Sequence, residues 1–192
     1  MAETRRQPFH AVYDTGEELF LGTCDSRGVG GVGVLVNTSL SININSFKEL
    51  TNRIGYLRLK RCGPIPAFAI FIVYAPTSNN DEEVEAFHMD LKKLYREDHT
   101  FFENIIADFN QLSQFIMATN AFHGNSQFQK PHPQSWTSDS PSREYHNEIG
   151  HITVNKRFCL TDVAALPKFY TGSDHRLLPA RIYFFAKWRK SD

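Results

Sequence analysis

Two periods run through the apolar positions of this chain. Residues 67–74 form a nearly continuous apolar run, Ala-Phe-Ala-Ile-Phe-Ile-Val-Tyr, the pattern of a central strand covered on both faces. Ala75-Pro76 closes that run, because proline has no N–H to give to a sheet ladder. Residues 54–60 alternate apolar and polar side chains, with Ile54, Tyr56, Leu57 and Leu59 apolar, and predict a second strand. Residues 20–23 and 32–36 read as two strands of a hairpin around the turn-forming Asp25-Ser26-Arg27-Gly28. The period changes after Asn79-Asn80-Asp81, which offers an N-cap. Val84, Phe87, Leu91 and Leu94 then recur at helical spacing, with Glu82, Glu83 and Glu85 ahead of Lys92, Lys93 and Arg96. That order of charges complements the helix macrodipole and favours a helix here.

Residues 101–107 return to strand, and a shorter helix is predicted across Leu112, Phe115 and Ile116. Prolines and polar residues dominate 122–142 and predict loops, broken by a short strand at Trp136-Thr137. Further strands are expected at 149–154, 158–163 and 177–185. Strands outnumber helices and the helices fall between them, which predicts an α/β sandwich in preference to an all-parallel doubly wound sheet. The pattern shows no repeat and no linker, so residues 1–192 are expected to form a single domain.

Composition adds limits. Of the 192 residues, 41% are apolar and 16 are Phe, enough for one core rich in ring contacts. The 21 basic and 21 acidic side chains cancel, so there is no global field to attract a polyanion and any such contact must be local. Cys24, Cys62 and Cys159 are odd in number and far apart, and read as reduced thiols of an intracellular protein, nuclear or cytoplasmic. Neither a secretory signal nor an apolar run of the ~20 residues that cross a membrane is present.

Two tetrads carry candidate chemistry. In Ala107-Asp108-Phe109-Asn110 the carboxylate and amide are two apart, so on a strand both point the same way. The carboxylate could ligate a hard cation or take a proton from water, and the amide could hold a phosphate oxygen without adding charge. A turn closing a strand uses the same residues for local hydrogen bonds, and for the tetrad alone it is the better explanation. Gly172-Ser173-Asp174-His175, before another apolar run, supplies a second carboxylate and an imidazole. Two such pairs at strand ends shift the balance toward metal-assisted phosphodiester chemistry. Other motifs are weaker. Gly28-Val29-Gly30-Gly31-Val32-Gly33 fits G-x-G-x-x-G but runs into Val34-Leu35-Val36, a strand, where a dinucleotide loop would open a helix. His146 and His151 do not form H-E-x-x-H, and with His88 they read as structural or solvated.

With these residues in order (Glu3-Thr4-Arg5-Arg6, Tyr74-Ala75-Pro76, Ala107-Asp108-Phe109-Asn110, Ser173-Asp174-His175), the chain resembles the endonuclease/exonuclease/phosphatase superfamily. More closely, it resembles the apurinic-type endonuclease domain of RTE-like non-long-terminal-repeat retrotransposons. Gly22-Thr23-Cys24-Asp25-Ser26-Arg27-Gly28 and Phe169-Tyr170-Thr171-Gly172-Ser173-Asp174-His175 carry that closer likeness. The resemblance implies a DNase I-like β-sandwich of two mixed sheets flanked by helices, and Mg²⁺- or Mn²⁺-dependent hydrolysis of DNA. It implies that Glu3 and Asp174 bind the metal, Tyr74 lines the phosphate site and Asp108 aligns the attacking water. Asn110 would contact phosphate, and His175 would stabilise the transition state.

The chain also departs from that pattern. It begins after the strand that carries an asparagine near the metal, so it is expected to be N-terminally truncated and to lack the first strand. Position 107 is Ala where relatives have Gly, and the loop after Asn110 is short. Gly150 stands where relatives have an aspartate that orients the catalytic imidazole. Two readings follow, a DNA endonuclease of impaired turnover or an inactive remnant that keeps the fold and at most binds nucleic acid. A phosphatase of small phosphoesters is a third, disfavoured by the retrotransposon-like phrases.

Overall fold

The computed structural model describes residues 9–22, 32–61, 67–76, 81–98, 100, 102–108, 116–117, 119–139, 145–155, 160–166 and 176–183; for Phe9, Asp108, Pro133 and Asp139 it describes the backbone alone. A six-stranded mixed sheet forms the centre, in the order β4-β5-β6-β7-β11-β8. Its strands are β4 (Ile44–Thr51), β5 (Ile54–Leu59), β6 (Phe68–Tyr74), β7 (Phe102–Asp108), β8 (Phe122–His123) and β11 (Gly150–Val154). The fully buried β6 lies inside the sheet, as its unbroken apolar run requires. β6 and β7 run parallel, and the helix α2 (Asp81–Glu97) makes the crossover between them.

The two faces of this sheet bury different partners. On one, Ala69, Phe71 and Val73 of β6 and Ile105 and Ala107 of β7 pack against Phe87, Leu91 and Tyr95 of α2. The buried helical stripe therefore follows an i, i+4, i+8 line through Phe87, Leu91 and Tyr95, and the expected Val84 and Leu94 sit at its margins. Each large apolar side chain buried here contributes about 1.5–3 kcal/mol. On the other face, Phe68, Ile70, Ile72 and Tyr74 meet Phe20, Val34 and Val36. These come from the antiparallel sheet of β1 (Phe9–Val12), β2 (Glu18–Leu21) and β3 (Gly33–Val36). Gly55 makes this approach possible, since a Cβ there would stand 2.8 Å from Val32 Cγ2. The same face of β11 packs Ile152 and Val154 against Leu160, Val163 and Leu178, around the pair β12 (Leu160–Val163) and β13 (Ala180–Ile182). The result is a sheet sandwich with α2 outside, the architecture the strand–helix pattern predicts.

Most expected elements are found, with some corrections. The 20–23 and 32–36 strands pair antiparallel as β2 and β3, and β3, not a helix, follows Gly33; the remaining glycines of that motif lie outside the described residues. The short strand expected at Trp136-Thr137 is β9 (Ser138–Asp139), paired with β10 (His146–Asn147), because a four-residue helix α3 (His132–Ser135) caps back onto Trp136. The strand expected over 177–185 is β13, preceded by a single bridge from Leu177 to Leu166. Unforeseen elements are β1, the helix α1 (Thr38–Ser41), β4, β8, α3 and β10. Asn79, Asn80, Leu112, Phe115 and the three cysteines lie outside the described residues. Among the described residues no helix is long and apolar enough to cross a membrane.

Candidate active site

The parallel β6–β7 pair and the antiparallel β7–β11 pair end on one line. Tyr74 is in register with Asp108, and Asp108 with Gly150, so the last residues of β6 and β7 and the first of β11 stand side by side across three strands. Strand termini at the C-terminal end of parallel strands are where open sheets gather functional groups. Tyr74 is 6% exposed and shares the sandwich-side face with Ile70 and Ile72. Its amide donates to the carbonyl of Arg53 at 2.9 Å, and the Arg53 guanidinium carbon lies 5.6 Å from its ring centre. Arg53 also pairs with Glu83 at 3.4 Å, which places a partly exposed cation beside this end of the sheet.

Thr137 extends the line past Gly150. Its side chain is buried, with 2% exposure, and its Oγ1 accepts the amides of Gly150 at 2.7 Å and Ile149 at 2.9 Å. Its carbonyl accepts the amide of Arg176 at 2.8 Å. Arg176 directly follows Asp174-His175 in the chain, and this bond ties Arg176 to the neighbour of Gly150. Backbone pairing thus brings Tyr74, Asp108, Gly150 and Arg176 into one region from positions far apart in sequence. Of the nominated side chains, that of Tyr74 is described. Glu3, Asn110, Asp174 and His175 lie outside the described residues, and Asp108 is described as backbone alone.

The strand parity that puts Gly150 on the sandwich side puts His151, its neighbour, on the opposite face. There His151 Nδ1 stands 3.1 Å from His123 Nε2. Glu148 joins them, so that one donor atom from each of the three residues lies within 4.8 Å of the others. The imidazoles are half-buried and Glu148 is exposed. Burial lowers the His123 pKa, partly offset by the negative charge of Glu148, and this favours the neutral ring at neutral pH. The reading of His151 as structural or solvated did not include this cluster, which sequence spacing hides because His123 reaches it across the β8–β11 pairing of His123 with Thr153. Thr137 and Arg53 were missed as well. The local sign of Thr137 was the short strand expected at Trp136-Thr137 within a segment otherwise rich in proline and polar residues.

No protein-family model matches the chain, and no curated protein matches it. Solved structures do. An AP endonuclease from Leishmania major superposes with a TM-score of 0.69 at 14% identity, covering 88% of this chain and 71% of that one. The endonuclease domain of TRAS1, a telomere-specific non-LTR retrotransposon, gives 0.62 at 10% identity, covering 88% and 79%. An endonuclease/exonuclease/phosphatase family protein from Leptotrichia buccalis gives 0.61 at 15% identity, covering 90% and 74%. The chain has the endonuclease/exonuclease/phosphatase fold. In this DNase I-like architecture the C-terminal ends of β6 and β7 form the rim on which Tyr74 and Asp108 stand.

Proposed function

We propose that this chain is a divalent-metal-dependent DNA endonuclease domain of the non-LTR retrotransposon kind, with turnover impaired at Gly150. The observation that carries the reading is the row Tyr74, Asp108, Gly150 across three strands, extended through Thr137 to the residue after His175. Residues 1–192 act as one domain in this reading.

Asp108 takes the proton of the attacking water, and Asn110, two residues on, holds a non-bridging phosphate oxygen without adding negative charge. His175 donates to the phosphate as charge develops, and Tyr74 lines the phosphate site with Arg53 behind its ring. The acidic donors Glu3 and Asp174 suit a hard cation such as Mg²⁺ or Mn²⁺, which when bound neutralises charge on the phosphate. Gly150 cannot orient an imidazole, and misplacement on the order of an ångström costs about 10²-fold in rate.

A second reading, a fold-retaining remnant that at most binds nucleic acid, is favoured by Thr137, whose Cβ stands 3.2 Å from where a Cβ of residue 150 would be. Nicking of supercoiled plasmid separates the two. Wild type nicks slowly with Mg²⁺ and not with EDTA, Gly150→Asp nicks about 10–10² times faster, and Asp108→Asn is silent. Folded wild type and Gly150→Asp that both leave the plasmid intact in Mg²⁺ and in Mn²⁺ would establish the remnant. Hydrolysis of small phosphoesters without nicking would establish a phosphatase.

A further inference from the structure

The outer face of β11 carries a second donor set, unlike the acidic one expected at the rim. His123 and His151 bring two imidazole nitrogens to 3.1 Å, and two nitrogens on one tetrahedral Zn²⁺ stand ~3.3 Å apart when each is ~2.0–2.1 Å from the ion. The Glu148 carboxylate completes a group whose donor atoms fall within 4.8 Å of one another, and an ion bound among them would replace the proton shared by the two imidazoles.

The surroundings hold these donors in place. Asn125 donates through Nδ2 to Glu148 Oε1 and to the Gly150 carbonyl, both at 3.0 Å, and its Oδ1 accepts the Ile152 amide at 3.0 Å. One side chain therefore fixes the carboxylate and both backbone neighbours of His151. The turn that presents it is tight: the Gly124 amide donates to the Ile152 carbonyl at 2.6 Å, and a Cβ on Gly124 would meet that carbonyl oxygen at 2.8 Å. Asn125 in this way does for Glu148 what hydrogen-bonded neighbours commonly do for metal-binding carboxylates.

We infer that His123, Glu148 and His151 form a binding site for a borderline transition-metal ion, Zn²⁺ foremost. Two imidazoles and one carboxylate suit zinc, whereas Mg²⁺ prefers oxygen donors and retained waters. Because β11 begins at Gly150, the ion would pin the strand that borders Asp108 from the face opposite the rim.

Equilibrium dialysis of the full chain against Zn²⁺, with competition by a chromogenic chelator, tests this. One Zn²⁺ per chain is expected, with binding weakened at least ~100-fold in His123→Ala and in His151→Ala and ~10–100-fold in Asn125→Ala. His146→Ala and the pair Glu3→Gln with Asp174→Asn should bind as wild type does. Imidazole ¹⁵N shifts of the wild-type chain give a readout that needs no variant to fold: Zn²⁺ should move both His123 and His151 and leave His146 in place. Absence of stoichiometric Zn²⁺, unmoved His123 and His151 resonances, or loss of the ion with Glu3→Gln/Asp174→Asn would each overturn the site. None of these outcomes depends on whether the chain cuts DNA.

Discussion

Gly150 gives its amide to the buried Thr137 hydroxyl at 2.7 Å, and a Cβ on residue 150 would lie 3.2 Å from the Thr137 Cβ and 3.3 Å from its Oγ1. An orienting carboxylate at this position would thus begin against the buried Thr137 side chain, which must give by a few tenths of an ångström to admit it. Gly150→Asp should fold, losing about 1–3 kcal/mol to overpacking, as read by urea unfolding, while its nicking rate rises. A faster variant of lower stability would show that rate and stability part company at this position.

Thr137 satisfies two amides from inside the fold, so truncating it leaves them unpartnered. Thr137→Ala should lose about 1–3 kcal/mol of stability, and Thr137→Ser, which keeps the hydroxyl and gives up one buried methyl, about 0.8 kcal/mol. Hydrogen exchange at Ile149 and Gly150 should quicken in the alanine variant and stay near wild type in the serine variant. Equal exchange in both variants would contradict the role of the hydroxyl.

Arg53 supplies local positive charge on a chain whose 21 basic and 21 acidic residues balance. Arg53→Ala should cost at most about 1 kcal/mol of stability through its contact with Tyr74. It should weaken binding of duplex DNA uniformly across sequences and reduce the salt slope of log K by about 1. An unchanged salt slope would place the phosphate contacts elsewhere.

The Tyr56 hydroxyl hydrogen-bonds to Asp98 just past the end of α2, and Asp98 also accepts the Thr100 amide at 2.7 Å. Burial acts to raise the Asp98 pKa, but the hydrogen bonds from Thr100 and Tyr56 outweigh it and hold the pKa below 3.8. The folded state therefore binds this proton less readily than the unfolded chain. Its stabilisation is present above the unfolded pKa and is lost as pH falls through the folded one. Tyr56 shows the opposite sign: burial first, then the hydrogen bond to Asp98 and its charge, push its pKa up to about 12. That contribution is full below the usual value of 10.0 and is lost as pH rises toward 12. Unfolding free energy measured against pH should flatten at the acid end in Asp98→Asn and only in part at the alkaline end, where burial of Tyr56 still acts; an unaltered profile would remove this pair from the account.

Leu91 is fully buried between α2 and the central sheet. Leu91→Ala should cost about 2–5 kcal/mol by thermal or urea unfolding. Exposed Met89, two residues earlier and so on the opposite side of the same helix, should tolerate Ala within about 0.5 kcal/mol.

The core strands and the long helix were legible because each declares itself locally. Phe68 to Tyr74 are apolar without a break, Phe87 and Leu91 recur one helical turn apart, and charges along α2 follow the macrodipole. The hydrogen-bonding segments between Phe122 and Asn147 were not legible, since their pairing depends on partners remote in sequence. Trp136-Thr137 has strand-like residues, yet α3 takes the chain through Trp136 and the ladder starts at Ser138.

By itself the sequence determined the residue types that the proposed phosphodiester chemistry would use, the apolar patterns that make a sandwich and the glycine at position 150. Tertiary structure alone decided which of these stand together. Register aligned Tyr74, Asp108 and Gly150 on one rim, a single carbonyl of Thr137 drew in Arg176, and strand parity turned His151 away from that rim toward His123 and Glu148. A strand displays its neighbours on opposite faces, so residues adjacent in the chain can serve separate sites, while residues dozens apart meet through sheet pairing.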